Sequence, residues 1–251
     1  MSKTVKNLII ANVSVFLLSS IWQEFPIGLL AMVPRLVFSK LMIWQLVTYM
    51  FVHLDLWHLV MNMLMLWFFG PAIEAAWGQK RFLIYYFFTG IGAALCSVIF
   101  SFNSPIIGAS GAIFGILVAY AMLYPDNMIL FFFFVPMKMK HAVFVLAGIN
   151  LLGAISASGS GIAYIAHLGG GLFGYLYLKN ETLRHRLLSL DFEKIKSWFN
   201  KPSAKPTKST KPNKPKTFDE RVDEILDKIS KKGMASLTKE EIDILDRRSR
   251  S

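Results

Sequence analysis

The sequence predicts an all-α, polytopic membrane protein whose core is a bundle of six transmembrane helices. The chain has 251 residues, 54% of them hydrophobic, and a mean hydropathy of +0.47, which is more apolar than an ordinary soluble domain. Charge is concentrated at one end, because residues 1–178 hold only eight of the 27 Lys and Arg side chains and four of the 16 Asp and Glu. We therefore expect residues 1–178 to form the membrane core.

Six apolar stretches approach the length of about 17–25 residues with which a helix crosses a bilayer. They cover residues 8–22, 56–77, 82–100, 109–124, 142–156 and 162–178. Residues 23–45 contain Pro26, Pro34 and basic side chains, which argue against a continuous span there. Residues 129–135 are apolar but too short to cross, so we predict a re-entrant or interfacial connection.

The basic side chains between these stretches predict which ends face the cytoplasm. With a cytoplasmic N-terminus, the basic tail lies inside, and so do the loops that hold Lys80, Arg81, Lys138 and Lys140. Only Arg35 and Lys40 of the first long loop then fall outside. The charge pattern is therefore consistent with six spans.

Two of the stretches carry a hydroxyl and an imidazole among small residues. Ser110 lies in Gly108-Ala109-Ser110-Gly111, and His167, 57 residues later, is soon followed by three glycines. An ionisable residue inside a span is a functional hypothesis by default, and the topology puts both residues at a similar depth near the outer face. No carboxylate of the spans is placed to orient His167. We therefore predict a Ser–His dyad, with Ser110 as nucleophile and His167 as its base.

Acyl transfer also needs hydrogen-bond donors for the oxyanion that develops on the attacked carbonyl. His58 and Asn62 have the i, i+4 spacing that puts both on one helix face, and their span also opens at the outer side. Together with the backbone N–H of Ser110, they are the predicted oxyanion donors.

Each of these residues also has an ordinary structural interpretation. Ser110 alone would more simply be a small residue at a helix contact, and His167 could equally be a structural hydrogen-bonding residue. His58 and Asn62 could brace a turn. The glycines that follow His167 are interpreted as close-packing residues, which let the fourth and sixth spans touch. It is the convergence of the polar groups at one depth that favours a site.

Five motifs in this order resemble the rhomboid family of intramembrane serine proteases over residues 1–178. They are Trp44-Gln45-Leu46-Val47-Thr48-Tyr49-Met50-Phe51-Val52-His53, the pair His58 and Asn62, Gly70-Pro71-Ala72-Ile73-Glu74 with Trp77-Gly78, Gly108-Ala109-Ser110-Gly111, and Ala166-His167-Leu168-Gly169-Gly170. Where the family often has Arg after the tryptophan, this chain has Gln45, which is expected to alter the packing of the outer loop. Where some members have Tyr one turn after the serine, this chain has Phe114, which can stack on the base but cannot donate a hydrogen bond.

The resemblance implies a six-helix bundle in which Ser110 is the nucleophile and His167 the general base. It implies that His58, Asn62 and the Ser110 amide bind the oxyanion. The supporting residues it implies are His53, Gly108, Gly111 and Phe114 around the cavity, and Glu74 as a structural hydrogen-bonding residue. The presence of both Ser110 and His167 disfavours the family's inactive branch.

Residues 179–251 divide into three predicted parts. Residues 179–200 form an amphipathic helix along the inner membrane surface. Residues 201–216 contain six Lys and four Pro, a composition typical of a disordered linker. Residues 217–251 form a small cytoplasmic helical hairpin that resembles an appendage on some bacterial rhomboids. The basic tail is expected to contact anionic lipid rather than nucleic acid.

We therefore expect an intramembrane serine endopeptidase that cleaves transmembrane protein substrates near the outer membrane face, with no cofactor and no metal. The single cysteine, Cys96, excludes an intramolecular disulfide framework and a cysteine-based metal site. Two alternatives stay open, namely a non-catalytic protein that binds membrane-protein clients and a small-molecule channel lined by His53 and His58. Since no organelle transit peptide or additional span is evident, the expected location is a bacterial inner membrane, with both termini in the cytoplasm. The sequence predicts no particular oligomeric state.

Overall fold

A computed structural model of the chain describes residues 2–21, 28–100, 102–132, 134–156, 161–189 and 217–249. The chain divides into two compact units, Met1–Leu190 and Asp191–Ser251. In the described ranges nearly all regular structure is helical, apart from one two-stranded sheet. The predicted all-α fold class is therefore confirmed.

The helices of the first unit match the apolar stretches of the sequence. They are α1 (Lys3–Ile21), α2 (Pro34–Ser39), α3 (Gln45–Thr48), α4 (Leu56–Trp77), α5 (Gln79–Phe100), α6 (Ser110–Leu123), α7 (Met139–Ser156), α8 (Ile162–Lys179) and α9 (Glu181–Leu188). A short 3₁₀ helix, Tyr49–Phe51, follows α3 directly. Each predicted span corresponds to one long helix, and α4 has the predicted bounds.

Length and hydropathy make α1, α4, α5 and α7 each able to cross a membrane. With 14 residues, α6 extends over about 21 Å, which is less than the roughly 30 Å of a bilayer's hydrocarbon core. The chain is thus a multi-pass membrane protein, while the count of six spans stays a prediction.

Local signals at both ends of α4 explain its bounds. The Asp55 side chain caps the helix by accepting a hydrogen bond of 2.8 Å from the backbone N–H of His58. At the other end, Gly78 has a φ of +79°, a left-handed conformation that suits glycine and interrupts the helix. Because α5 begins at the next residue, Gln79, the turn keeps α4 and α5 connected by a single residue.

The centre of the bundle is α6, which contacts α4, α5, α7 and α8. All residues of the range 111–117 are buried. Gly170 of α8 lies so close to Gly111 of α6 that a Cβ atom on it would overlap the Gly111 carbonyl group, and a Cβ atom on Gly174 would lie 3.2 Å from the Cα atom of Gly115. Small residues at such a contact let two backbones approach closely in lipid. They bring the N-terminal half of α8 against the start of α6.

The described residues of 129–135, the stretch predicted as a re-entrant or interfacial connection, belong to an antiparallel hairpin of β1 (Met128–Phe131) and β2 (Val135–Lys138). Its apolar side chains are largely exposed, up to 84% at Phe134. At its base, Lys140 and Lys138 contact Asp126 at 2.8 and 3.0 Å. Their hydrogen bonds lower the pKa of the Asp126 carboxyl to about 2, so that this carboxylate stays charged at neutral pH. The strand conformation was not predicted from the sequence.

The described part of the second unit consists of α10 (Phe218–Lys232) and α11 (Lys239–Ser249), with a short 3₁₀ helix, Met234–Ser236, between them. A capping box of Thr217 and Glu220 opens α10. Lys228 of α10 donates a 2.6 Å hydrogen bond to Glu241 of α11, and this bond holds the pKa of the Glu241 carboxyl below its usual range. The predicted linker, 201–216, and residues 190–200 of the predicted amphipathic helix lie outside the described residues.

Replacing Gly170 with Ala should destabilise the first unit, because the added methyl group overlaps the Gly111 carbonyl. Overpacking of this kind costs about 1–3 kcal/mol, and we expect it to lower the midpoint of thermal unfolding in detergent micelles. The matched control is Gly148→Ala on α7, where a Cβ atom would meet nothing within 4 Å. Equal midpoints for the two variants would contradict the assigned helix contact.

Candidate active site

Ser110 is the first residue of α6 and follows a tight turn. Gly108 has a φ of +97°, and its backbone N–H donates a 2.9 Å hydrogen bond to the carbonyl of Tyr49. The helix then starts with the bond from the Ile113 N–H to the Ala109 carbonyl, at 3.0 Å. The hydroxyl of Ser110 therefore projects from the first turn of a helix, where backbone N–H groups have no partner within the helix.

The hydroxyl of Ser110 and the imidazole of His167 are in direct contact. The distance between Ser110 Oγ and His167 Nε2 is 2.8 Å, which is within hydrogen-bond reach for a nucleophile and a base. The two residues belong to α6 and α8, which the glycine contact holds together. The structure thus brings together the two groups that are 57 positions apart in the chain.

The other imidazole nitrogen has a partner that the sequence interpretation missed. His167 Nδ1 lies 2.7 Å from Oδ1 of Asn150 on α7, and Asn150 Nδ2 donates a 2.8 Å hydrogen bond to the Leu146 carbonyl. The reasoning from sequence considered only carboxylates as partners of His167. A signal was present, since a polar amide in the middle of an apolar span is itself a functional hypothesis.

Phe114 stacks on the imidazole of His167, as the resemblance implied. The ring centroids are 5.9 Å apart and the planes differ by 3°. Phe114 is buried, and the backbone of Gly171 on α8 lies beside its ring. The aromatic face limits rotation of the imidazole on the side that neither Ser110 nor Asn150 contacts.

His53 and His58 lie beside the turn that leads into Ser110. The imidazole of His58 comes within 2.7 Å of the position that a Cβ atom on Gly108 would occupy. His53 Nε2 accepts a long hydrogen bond of 3.5 Å from the backbone N–H of Ala109, and the two imidazole centroids are 4.8 Å apart. Burial, with a smaller contribution from His58, lowers the pKa of His53 to about 4. Its imidazole is therefore neutral at pH 7, as an acceptor must be.

Asn62 is buried one turn along α4 from His58. Its Nδ2 donates a 2.8 Å hydrogen bond to the His58 backbone carbonyl. One N–H of the amide is thus used within α4, and the contact ties the side chain to the turn that carries His58.

Gln45 and Glu74, which lie away from the Ser110 hydroxyl, make structural contacts. Gln45 is fully buried, and its Oε1 accepts a 3.1 Å hydrogen bond from the Val33 N–H. This bond connects two parts of the first long loop that are 12 residues apart. The Glu74 carboxylate accepts from the N–H groups of Thr4 and Val5, at 3.3 and 3.2 Å. It lies about 24 Å along α4 from His58 and anchors the N-terminus of α1. Among the described residues, no three His, Cys, Asp or Glu side chains cluster as a metal site requires.

Comparison with known proteins places most of the membrane unit in one family. Residues 40–180 match the model of the Rhomboid domain, and residues 211–251 match a family of unknown function, DUF6576. Rhomboid protein 1, mitochondrial, of Saccharomyces cerevisiae is 38% identical over 135 residues, which cover 51% of this chain and 38% of that protein. The match to rhomboid protease GluP of Bacillus subtilis is 35% identical over 132 residues, covering 53% of this chain and 25% of that protein.

A longer match extends to presenilin-associated rhomboid-like protein, mitochondrial, of Bos taurus. It is 31% identical over 221 residues, which cover 82% of this chain and 55% of that protein. The chain thus spans from a quarter to a little over half of the length of these three curated relatives.

Replacing Gly108 with Ala should lower the reactivity of Ser110. The substitution strains a backbone with φ of +97° and pushes a methyl group into the His58 imidazole. We expect slower labelling by a fluorophosphonate probe of serine nucleophiles, measured as a rate in detergent. The matched control is Gly78→Ala, which has a similar positive φ and nothing within 4 Å of a Cβ atom, so it should lose stability but keep its labelling rate. A normal rate in Gly108→Ala would show that the turn does not hold the site.

Proposed function

The chain belongs to the rhomboid family, and from this premise we propose that it is an intramembrane serine endopeptidase with Ser110 and His167 as its catalytic dyad. The observation that carries the proposal is the 2.8 Å contact between Ser110 Oγ and His167 Nε2 inside an apolar bundle. Burying an imidazole in an apolar bundle costs free energy, and ionisable side chains at such positions therefore usually mark functional sites. That one of the relatives is named a protease supports the same activity.

In the proposed mechanism, Ser110 Oγ attacks the scissile carbonyl of a transmembrane substrate while His167 Nε2 takes the hydroxyl proton. The tetrahedral intermediate collapses to an acyl-enzyme as the imidazolium returns the proton to the leaving amine. A water molecule then attacks the ester, His167 again takes the proton, and the second product leaves as Ser110 regains its hydrogen.

We propose that the developing oxyanion accepts hydrogen bonds from the backbone N–H of Ser110 and from the side chains of His58 and Asn62. The Ser110 N–H lies in the first turn of α6, where N–H groups are unpaired within the helix and the helix dipole favours negative charge. The support for His58 is that its imidazole lies 2.7 Å from the position that a Cβ atom would occupy on Gly108, two residues before Ser110. His53, Gly108, Gly111, Phe114 and Glu74 are proposed to act only by holding this arrangement.

We further propose that cleavage takes place near the outer membrane face and that both termini lie in the cytoplasm. The positive-inside distribution of Lys80, Arg81, Lys138 and Lys140 supports this orientation. Relatives match from a bacterium and from mitochondria, so the bacterial cell membrane stays a prediction. The proposed partners are transmembrane protein substrates, with anionic lipid at the basic tail.

We also keep the four-part division of the chain as a proposal. Residues 1–178 form the catalytic core, and the predicted juxtamembrane segment and linker, residues 179–200 and 201–216, join it to the last part. Residues 217–251 form a cytoplasmic hairpin that regulates the core or binds a partner.

The proposed dyad predicts that a tagged single-span reporter is cleaved by the wild type but not by Ser110→Ala or His167→Ala. Each replacement removes a group that the reaction cannot replace, so rates should fall to background. Matched controls are Ser97→Ala, whose hydroxyl donates to the Ala93 carbonyl within α5, and His141→Ala, an exposed residue of α7. Both should cleave at wild-type rates, and the product ends should map near the outer membrane face.

Other outcomes of this experiment decide between the functions that the sequence left open. If Ser110→Ala still cleaves, the site assignment is wrong. If the wild type neither cleaves nor reacts with a fluorophosphonate, the chain is a non-catalytic protein that binds membrane clients. Solute flux through liposomes that survives Ser110→Ala would instead indicate a channel.

Deletion of residues 201–251 should leave proteolysis by the core measurable. The Ser110–His167 contact and its surroundings lie wholly in the first unit, so the catalytic groups need nothing from the removed segment. Reporter cleavage in liposomes, with the folded state checked by thermal unfolding, measures the effect. Complete loss of cleavage in a folded deletion variant would assign the second unit a part in catalysis.

A further inference from the structure

We propose that Asn150 is a positioning residue for His167. Ser110 and His167 carry out the reaction, and Asn150 holds the imidazole in the orientation and tautomer that the reaction needs. This inference rests on the proposed function, because it states how the base of that reaction is held. The three residues come from α6, α8 and α7, and their contacts form one continuous chain from Leu146 to Ser110.

The hydrogen bonds determine which way the Asn150 amide points. Nδ2 donates to the Leu146 carbonyl at 2.8 Å, and Oδ1 faces His167 Nδ1 at 2.7 Å. If the amide were turned over, Oδ1 would face the Leu146 carbonyl oxygen, and two acceptors would oppose each other without a proton between them. The surroundings therefore hold Oδ1 toward the imidazole.

This orientation in turn selects the tautomer of His167. An amide oxygen can only accept a hydrogen bond, so Nδ1 must carry the proton. In a neutral imidazole the lone pair then lies on Nε2, which faces Ser110 Oγ at 2.8 Å. A general base needs this tautomer, because a protonated Nε2 could not take the hydroxyl proton.

Asn150 also fixes the direction of the ring. The imidazole is held at one edge by Asn150, at the other by Ser110, and on one face by Phe114, 5.9 Å away and parallel. Asn150 itself is only 6% exposed and is tied to its own helix. Correct orientation of a catalytic group is worth about 100-fold or more in rate.

A neutral acceptor suits this position in an apolar bundle. A carboxylate would stabilise the imidazolium more strongly, but burying it at membrane depth is costly, whereas an amide is neutral. Other titratable groups on the helices packed around the ring include His58 of α4, whose imidazole lies beside the Gly108 turn, and Cys96 of α5, which lies beside Gly169, two residues along α8.

The test compares Asn150→Leu with a matched control, Asn12→Leu. Asn12 of α1 is fully buried and also donates a 2.8 Å bond to the carbonyl four residues earlier. It is a suitable control because α1 carries none of the proposed site residues. We expect Asn150→Leu to lower kcat for the reporter and the rate of fluorophosphonate labelling by roughly 100- to 10,000-fold, with KM nearly unchanged. Asn12→Leu should keep both rates.

A second variant separates positioning from a purely structural role. Asn150→Asp restores an acceptor for Nδ1, so it should recover part of the activity that Asn150→Leu loses. Its negative charge favours the protonated imidazole, so the acid limb of the pH profile of kcat/KM should move up by about one pH unit or more. If Asn150 only packs the bundle, Asn150→Asp should be no more active than Asn150→Leu, because an acceptor for Nδ1 would then restore nothing that the reaction uses.

A measurement on the wild type needs no substitution that could impair folding. In protein labelled with ¹⁵N-histidine, with the His167 signals identified by their loss in His167→Ala, the shifts should report a proton on Nδ1. A proton on Nε2, or wild-type kcat in a folded Asn150→Leu, overturns the inference. If the wild type neither cleaves nor labels, the proposed function fails, while the tautomer still decides whether Asn150 orients His167.

Discussion

The contact between α6 and α8 is the constraint on which the rest of the site depends. Gly170 lies against the Gly111 carbonyl group and Gly174 lies near Gly115, so the two backbones approach closely at residues that have no side chain. Lipid tails are as apolar as most side chains, and association of helices in a bilayer therefore relies on close packing of this kind. With Ser110 one residue before Gly111, the distance between nucleophile and base follows from this backbone contact.

Polar side chains in the bundle mostly bond to backbone within their own helix. Asn12, Asn62 and Asn150 each donate to the carbonyl four residues earlier, at 2.8 Å, and Thr89 and Ser97 do the same with their hydroxyls. This satisfies donors that lipid would leave unpaired. An asparagine bonded in this way keeps its Oδ1 for another partner, which the hydroxyl of serine or threonine cannot offer in a fixed direction. At Asn150 that partner is His167.

The helices were largely predictable because their signals are local. Apolar length located the long helices, including the bounds of α4, and spacing with glycine patterns drew attention to Ser110 and His167. The hairpin of β1 and β2 was not predicted, since its strands have only four residues each and β1 is continuously apolar, without the alternation that distinguishes a strand. Nor was the contact of Asn150, because it depends on how three helices rotate against one another, which no single stretch of sequence determines.

The site is built from neutral groups, and this follows from where it lies. The described carboxylates of the first unit, such as Glu74, are found at helix ends and loops, where backbone N–H groups or basic side chains pair with them. Around Ser110 the polar groups are a hydroxyl, imidazoles and amides, none of which needs a buried counterion at rest. In the proposed reaction, charge then appears only as the proton moves from Ser110 to His167. Dipoles already oriented toward that charge, in surroundings of low dielectric, stabilise it without reorganising, and this is why the packing of α6, α7 and α8 bears directly on the chemistry.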